Sequence, residues 1–139
     1  MKKSMKQYMN MRRKHKKTLV ELAKEDEDFD WYYLHTFVIT KIKHMYEYYT
    51  AGDNVWQTDD TRFTIVATLK YVLNLQDELD NLFKTPVDGI EYDHSVHGVT
   101  KVTYTNEAKS NLEYKYQREQ ELYAEIYSYI GAHLQLWWD

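Results

Sequence analysis

The residues best suited to chemistry are Arg12, Arg13, Lys14, His15, Lys16 and Lys17, an unbroken basic run near the start of the chain. Guanidinium and ammonium groups at this density neutralise phosphates, and binding that rests on them weakens steeply with salt. Tyr8 and the methionines interleaved before the run could add stacking or packing to such a site. A structural reading competes with the functional one: a solvated helix face that docks on Asp or Glu of its own chain or of a second copy.

Other polar groups offer weaker chemistry. His94 and His97 form an H-x-x-H pair beside Asp93 and Asp88, and neutral imidazoles with carboxylates do hold metal ions. No third histidine or cysteine lies near them in sequence, so a solvated or hydrogen-bonded loop is expected and no metal is assigned. His35 and His44 are nine residues apart on one helix and point in different directions. His133 falls on an inner helical stripe, where a buried imidazole satisfied by a tyrosine or a carboxylate is expected. Asp77, Glu78 and Asp80, with acids at 26, 28 and 30, bring to mind the facing carboxylates of magnesium-dependent helical hydrolases. The Glu-Glu-x-x-Glu spacing is missing, however, and Asp77 and Asp80 read more simply as a solvent face. Cysteine is absent, which removes thiolate chemistry. There is neither a glycine-rich phosphate loop nor a nucleophile elbow. No catalytic residue and no cofactor are expected.

Aromatic residues are the second signal, at 16% of the 139 residues with 14 of them tyrosine. Tyr32, Tyr33, Tyr46, Tyr48 and Tyr49 cluster in one stretch, and Tyr114, Tyr116, Tyr123, Tyr127 and Tyr129 in another. One stripe cannot bury them all, and exposed Tyr and Trp mark interfaces. Tyr32, Tyr33, Tyr48, Trp137 and Trp138 are the expected contact residues, and self-association or docking in a partner's groove is the expected outcome.

Long helices must position these groups. One proline (Pro86) and four glycines leave few breaks, so an all-α bundle of three or four helices is expected as a single domain over 1–139. A basic helix covers about 2–24, and Asp28 or Asp30 can cap the next, about 29–50. That helix carries the stripe Trp31, Leu34, Val38, Ile42, Met45, Tyr49 and stops at Gly52-Asp53-Asn54. A third opens at Thr58-Asp59-Asp60 and runs to about Phe83, with Phe63, Val66, Leu69, Val72 or Leu73, Leu79 and Phe83 facing inward. Residues 85–105 fit a loop or a short β-hairpin. A last helix starts near Thr105-Asn106 and reaches the end through Leu112, Tyr116, Tyr123, Ile126, Ile130, His133 and Trp137, a length of about 50 Å at 1.5 Å per residue.

Charge and hydropathy narrow the setting. Residues 1–20 carry eight bases and no acid, while the other 119 hold 10 bases against 22 acids, which accounts for the net charge of −4. The pattern is an acidic body with a basic arm. No apolar run approaches the roughly 20 residues a membrane span needs, and no signal-peptide core follows the basic start. A cytoplasmic protein without membrane contact is expected.

Three stretches together resemble a family of small helical tailed-phage proteins without an assigned activity. They are Glu25-Asp26-Glu27-Asp28-Phe29-Asp30-Trp31-Tyr32-Tyr33-Leu34 leading into Lys41-Ile42-Lys43-His44-Met45, then Arg62–Leu82, and the closing Leu136-Trp137-Trp138-Asp139. They correspond to that family's D-x-D-W-x-x-L helix start, K-(I/L)-x-x-M continuation, L-x-x-L middle helix and Trp-Trp-Asp end, and cover about half the chain. The resemblance implies a phage origin and a bundle fold. Together with the missing catalytic motifs, it leads to an expected non-catalytic accessory or counter-defence protein of the infected bacterial cell. Such a protein blocks a host protein or sequesters a small anionic, nucleotide-type ligand, with Tyr8, Arg12, Arg13, Lys14, Lys16 and Lys17 as phosphate contacts. Association with nucleic acid through the basic arm is the alternative.

Overall fold

The computed structural model describes residues 5–26, 30–51, 59–96 and 98–137. The expected turn at Gly52-Asp53-Asn54, the helix start at Thr58, and Asp28, His97 and Trp138 lie outside the described residues. Four α-helices and one hairpin follow in chain order: α1 (Met5–Glu25), α2 (Trp31–Thr50), α3 (Asp59–Asn81), β1 (Ile90–Val96), β2 (Val99–Tyr104) and α4 (Asn106–His133). A 3-10 turn at Leu134–Leu136 closes the described chain. The architecture is all-α with a hairpin before a long C-terminal helix. Packing forms two compact units, Met1–Asn74 with Ile130–Asp139, and Leu75–Tyr129. Neither division coincides with a linker. Both fall inside helices, where the sequence of an expected single domain carries no mark of a boundary.

In the first unit, α2 begins where Asp30 leaves helical geometry (φ −101°, ψ 102°) and its carboxylate accepts the Tyr32 N–H at 2.9 Å. This bond satisfies one of the amides that a helix start leaves open. His35, Ile39, Ile42 and Tyr49 form the buried face of α2. The expected stripe is therefore partly corrected: Ile42 and Tyr49 are buried, but Trp31 and Leu34 are 61% and 66% exposed. The buried face includes a histidine, which a hydropathy pattern assigns to solvent, so the stripe was drawn around the wrong side of the first two turns. In α1, Met11 is the one buried residue, while Leu19 and Leu22 are half-buried.

Two carboxylates, Asp59 and Asp60, occupy the first turn of α3, where the helix dipole favours negative charge. In the first unit α3 buries Ile65, Thr68, Leu69, Val72 and Leu73. Phe63, expected inside, is 79% exposed, and Ile65 takes the inner position in its place. The C-terminal segment also belongs to this core. Trp137 is 8% exposed, and its indole N–H donates to Thr68 Oγ1 at 2.8 Å. Thr68 in turn donates to the Ile65 carbonyl at 2.8 Å, so both buried polar groups are satisfied.

In the second unit, α3 buries Leu75, Gln76 and Leu79, and α4 buries Ala108, Leu122 and Ile126. Phe83, expected inside, is exposed and lies past the end of α3, with its ring 5.4 Å from that of Tyr116. Tyr116, expected on the inner stripe of α4, is likewise exposed. The hairpin is antiparallel, with Ile90 opposite Tyr104, Tyr92 opposite Val102, and an irregularity between Asp93 and Val96. Gly89 closes its base. Its φ is +88°, a side chain there would collide with Thr105, and its carbonyl accepts the Thr105 N–H at 2.9 Å. These two constraints require glycine. Thr105 then caps α4 by accepting the Ala108 N–H at 3.1 Å. With 28 residues α4 is about 42 Å long. It ends at His133 rather than at the chain end.

Candidate functional site

A helical repeat of 3.6 residues divides the basic run of α1 among different faces. Tyr8, Arg12 and Lys16 stand one turn apart on one line, beside a second line of Met11, His15 and Leu19. Both lines face a cleft of about 490 Å³ within the first unit. Across it α2 presents Lys41, His44, Met45, Tyr48 and Tyr49, and Trp137 completes the lining. The volume falls within the range of small-molecule sites, roughly 300–1,000 Å³.

The two helices meet along matched rings. Tyr8 and Tyr48 lie 5.9 Å apart, tilted by 60°. His15 stacks on His44 at 3.8 Å with planes 5° apart, and His15 Nε2 lies 2.9 Å from Glu47 Oε2. Advancing along α1 from Tyr8 to His15 means moving back along α2 from Tyr48 to His44, so the helices run antiparallel. Lys16, which follows His15 directly, and Leu19 and Lys41, each about one turn beyond the imidazole pair on its own helix, line the same cleft.

Arg12, Lys16 and Lys41 are exposed at the cleft, and among the described residues none of them has an ion-pair partner. The carboxylate closest in sequence on α2, Glu47, is engaged by His15. Positive charge that no described residue neutralises, in a concave surface with low-dielectric walls, concentrates anions. His44 is held in its neutral form near pH 7. Burial lowers its pKa below the ordinary 6.5, followed by the nearby His15, with Lys41 and Lys14 adding to the effect and Glu47 opposing it. Its Nδ1 is buried and has no hydrogen-bond partner. The cleft thus combines tyrosine faces, a stacked imidazole pair and three cations without an ion-pair partner among the described residues.

Of the residues expected to contact phosphate, Tyr8, Arg12 and Lys16 come together here. Arg13, Lys14 and Lys17 are exposed and outside the lining, with Lys17 3.9 Å from Glu21 one turn on. Among the expected interface residues, Tyr48 lines the cleft, Tyr33 is half-buried and Tyr32 is exposed. Trp137 is corrected from an exposed contact to a buried one, because Thr68 supplies its N–H with an internal acceptor. Sequence reasoning placed His15 in the basic run but missed Lys41 and His44 as site residues. His35 and His44 do diverge on α2, but the ring that meets His44 comes from α1. The cationic spacing Lys41-x-x-His44 was the only available signal.

The second unit holds its charges differently. Arg118 donates to both carboxylate oxygens of Glu78, at 2.8 and 3.0 Å, and to Glu121 at 3.3 Å. The guanidinium lowers the Glu78 pKa. Asp77 and Asp80 are exposed as expected, with Asp80 accepting from Gln76 at 2.8 Å. Of the H-x-x-H pair, His94 Nδ1 lies 3.1 Å from Thr100 Oγ1. Among the described residues no cluster of three or more His, Cys, Asp or Glu could hold a metal ion, and no helix is long and apolar enough to cross a membrane. Comparison of the chain with protein-family models, curated proteins and solved structures finds no match.

Proposed function

We propose that the chain is a non-catalytic binding protein that sequesters a small anionic, nucleotide-type ligand in the cleft between α1 and α2. The observation that carries this reading is the set of three cations, without acidic partners among the described residues, that share a cavity with tyrosine rings. Phosphate oxygens match the cations, and a flat base matches the ring faces. Every contact the reading needs is a binding contact. Among the described residues the cleft offers imidazoles that stack on each other, with His15 Nε2 2.9 Å from the Glu47 carboxylate. Together with the resemblance to small tailed-phage proteins, this favours an accessory or counter-defence role in an infected bacterium, where removal of a nucleotide signal disarms a response. Equilibrium binding of a nucleotide panel tests it. The expected result is a stoichiometric complex that returns the nucleotide chemically intact, weakened by Arg12→Ala and by Lys16→Ala. Turnover of the nucleotide, or no binding by any member of the panel at low salt, overturns the proposal.

A second reading has its own observations. Arg13, Lys14 and Lys17 lie outside the cleft and are exposed, a distribution suited to a nucleic-acid backbone. Arg13→Ala with Lys17→Ala would then remove salt-sensitive DNA or RNA binding and leave nucleotide binding intact. The exposed Trp31, Tyr32 and Leu34 supply an aromatic patch for a host protein or a second copy of the chain.

A further inference from the structure

The cleft has a direction, and the direction selects a ligand. Tyr8 and Tyr48 stand at one end, with rings 5.9 Å apart. The stacked His15 and His44 rings lie about 10 Å farther along α1, next to Lys16. Lys16 and Lys41 lie at the other end, about 12 Å from Tyr8 at 1.5 Å per residue over eight residues of α1. Arg12 sits between, one turn from Tyr8 and one turn from Lys16, and is the first cation that a group leaving the tyrosines meets. Charge therefore rises along the cleft, from none at the tyrosines, through Arg12, to Lys16 and Lys41 beside the imidazole pair.

We infer that the cleft is built for a nucleoside carrying two or more phosphates, held extended with its base against Tyr8 and Tyr48 and its terminal phosphates between Lys16 and Lys41. This rests on the reading of the cleft as an anion-binding site, and narrows it. A free base or nucleoside reaches only the aromatic end. A monophosphate adds Arg12 but stops short of the distal lysines. Each further phosphate moves charge toward Lys16 and Lys41, where among the described residues no carboxylate competes for it. A bare chain of phosphates gains the cations but none of the stacking.

The distinction is measurable by calorimetric titration of the full chain with adenosine, AMP, ADP, ATP and inorganic tripolyphosphate at one low salt concentration. The expected affinity order is ATP, ADP, AMP, adenosine, with tripolyphosphate weaker than ATP by about ten-fold or more, the effect of losing one stacked base. Lys41→Ala should weaken ATP by about ten-fold and leave AMP nearly unchanged, because only the longer ligand reaches it. Tyr8→Leu, which keeps apolar volume but removes the ring, should weaken all nucleotides by a similar factor and leave tripolyphosphate unaffected. A thermal melt of each variant checks that it is folded, and Tyr48→Leu repeats the test from the other helix if Tyr8→Leu melts early. Tripolyphosphate binding as tightly as ATP, with silent tyrosine variants, overturns the inference but leaves a simple anion site. Equal loss of AMP and ATP in Lys41→Ala overturns the direction. Absence of binding by all five ligands removes the proposed function itself.

Discussion

Arg12 in the first unit and Arg118 in the second are both helical arginines near the surface, yet their surroundings differ in kind. Arg118 grips Glu78 through two hydrogen bonds and reaches Glu121 with a third, so its donors are used by its own chain. Arg12 shares a cleft with Lys16, Lys41 and tyrosine rings, and among the described residues no acid answers it. A charge satisfied internally joins two helices. A charge left unanswered in a concave, aromatic-lined space is available to something outside the chain. The contrast separates cations that hold helices together from those the proposed function assigns to a ligand.

The largest effects should come from truncating the cores that hold each set of charges in place. Leu69→Ala in the first unit and Leu122→Ala in the second both remove fully buried side chains and should each cost about 2–5 kcal/mol in denaturant unfolding. The contrast predicts that only Leu69→Ala also weakens nucleotide binding under conditions where both variants remain folded. Trp137→Phe comes next. It removes the donor to Thr68 Oγ1 while keeping most of the buried ring, with an expected loss of about 1 kcal/mol.

The direct comparison is smaller in energy and sharper in meaning. Arg12→Ala should weaken ATP about ten-fold with little change in melting temperature, whereas Arg118→Ala should leave ATP affinity unchanged and lower the melting temperature. Equal behaviour of the two variants would erase the distinction between the units.

Acid should affect the units in different windows. His44 has a lowered pKa in the folded chain, so the unfolded chain binds the proton more readily. Its contribution to stability is complete above about 6.5 and is lost as pH falls through the range between that value and the folded one. His44→Gln should flatten this part of a stability–pH curve. Glu78 also has a lowered pKa, through its bond to Arg118. Its contribution is present above the ordinary 4.5 and disappears as pH falls through the folded value. Glu78→Gln should flatten only the more acidic part, the smallest effect of the series because the pair is solvent-screened.

Helix number and the last long helix were legible because breakers are few, and the 85–105 segment because Pro86, Gly89 and Gly98 interrupt it. Burial was less legible. His35, Thr68 and Gln76 are polar and buried, while Trp31, Leu34 and Phe63 are apolar and exposed, so hydropathy misplaces the N-terminal turns of α2 and α3 while Ile42, Tyr49, Leu69, Val72, Leu73 and Leu79 face inward as expected. For the candidate site, the basic run was visible but its division among helix faces was not. That division depends on which side of α1 meets α2. Lys41 and His44 join Arg12 and His15 only through packing between residues some 30 positions apart, and a linear pattern holds no record of that pairing. Nor does a linear pattern show that Trp137 is buried, because its acceptor, Thr68, is 69 positions away.

The most direct test of the central claim is an amide nuclear magnetic resonance titration of the full chain with ATP. The account predicts that the perturbed signals cluster at Tyr8, Arg12, His15, Lys16, Lys41, His44 and Tyr48, with residues 75–129 silent. Perturbations confined to Arg13, Lys14 and Lys17, located in 75–129, or absent at millimolar nucleotide would contradict it.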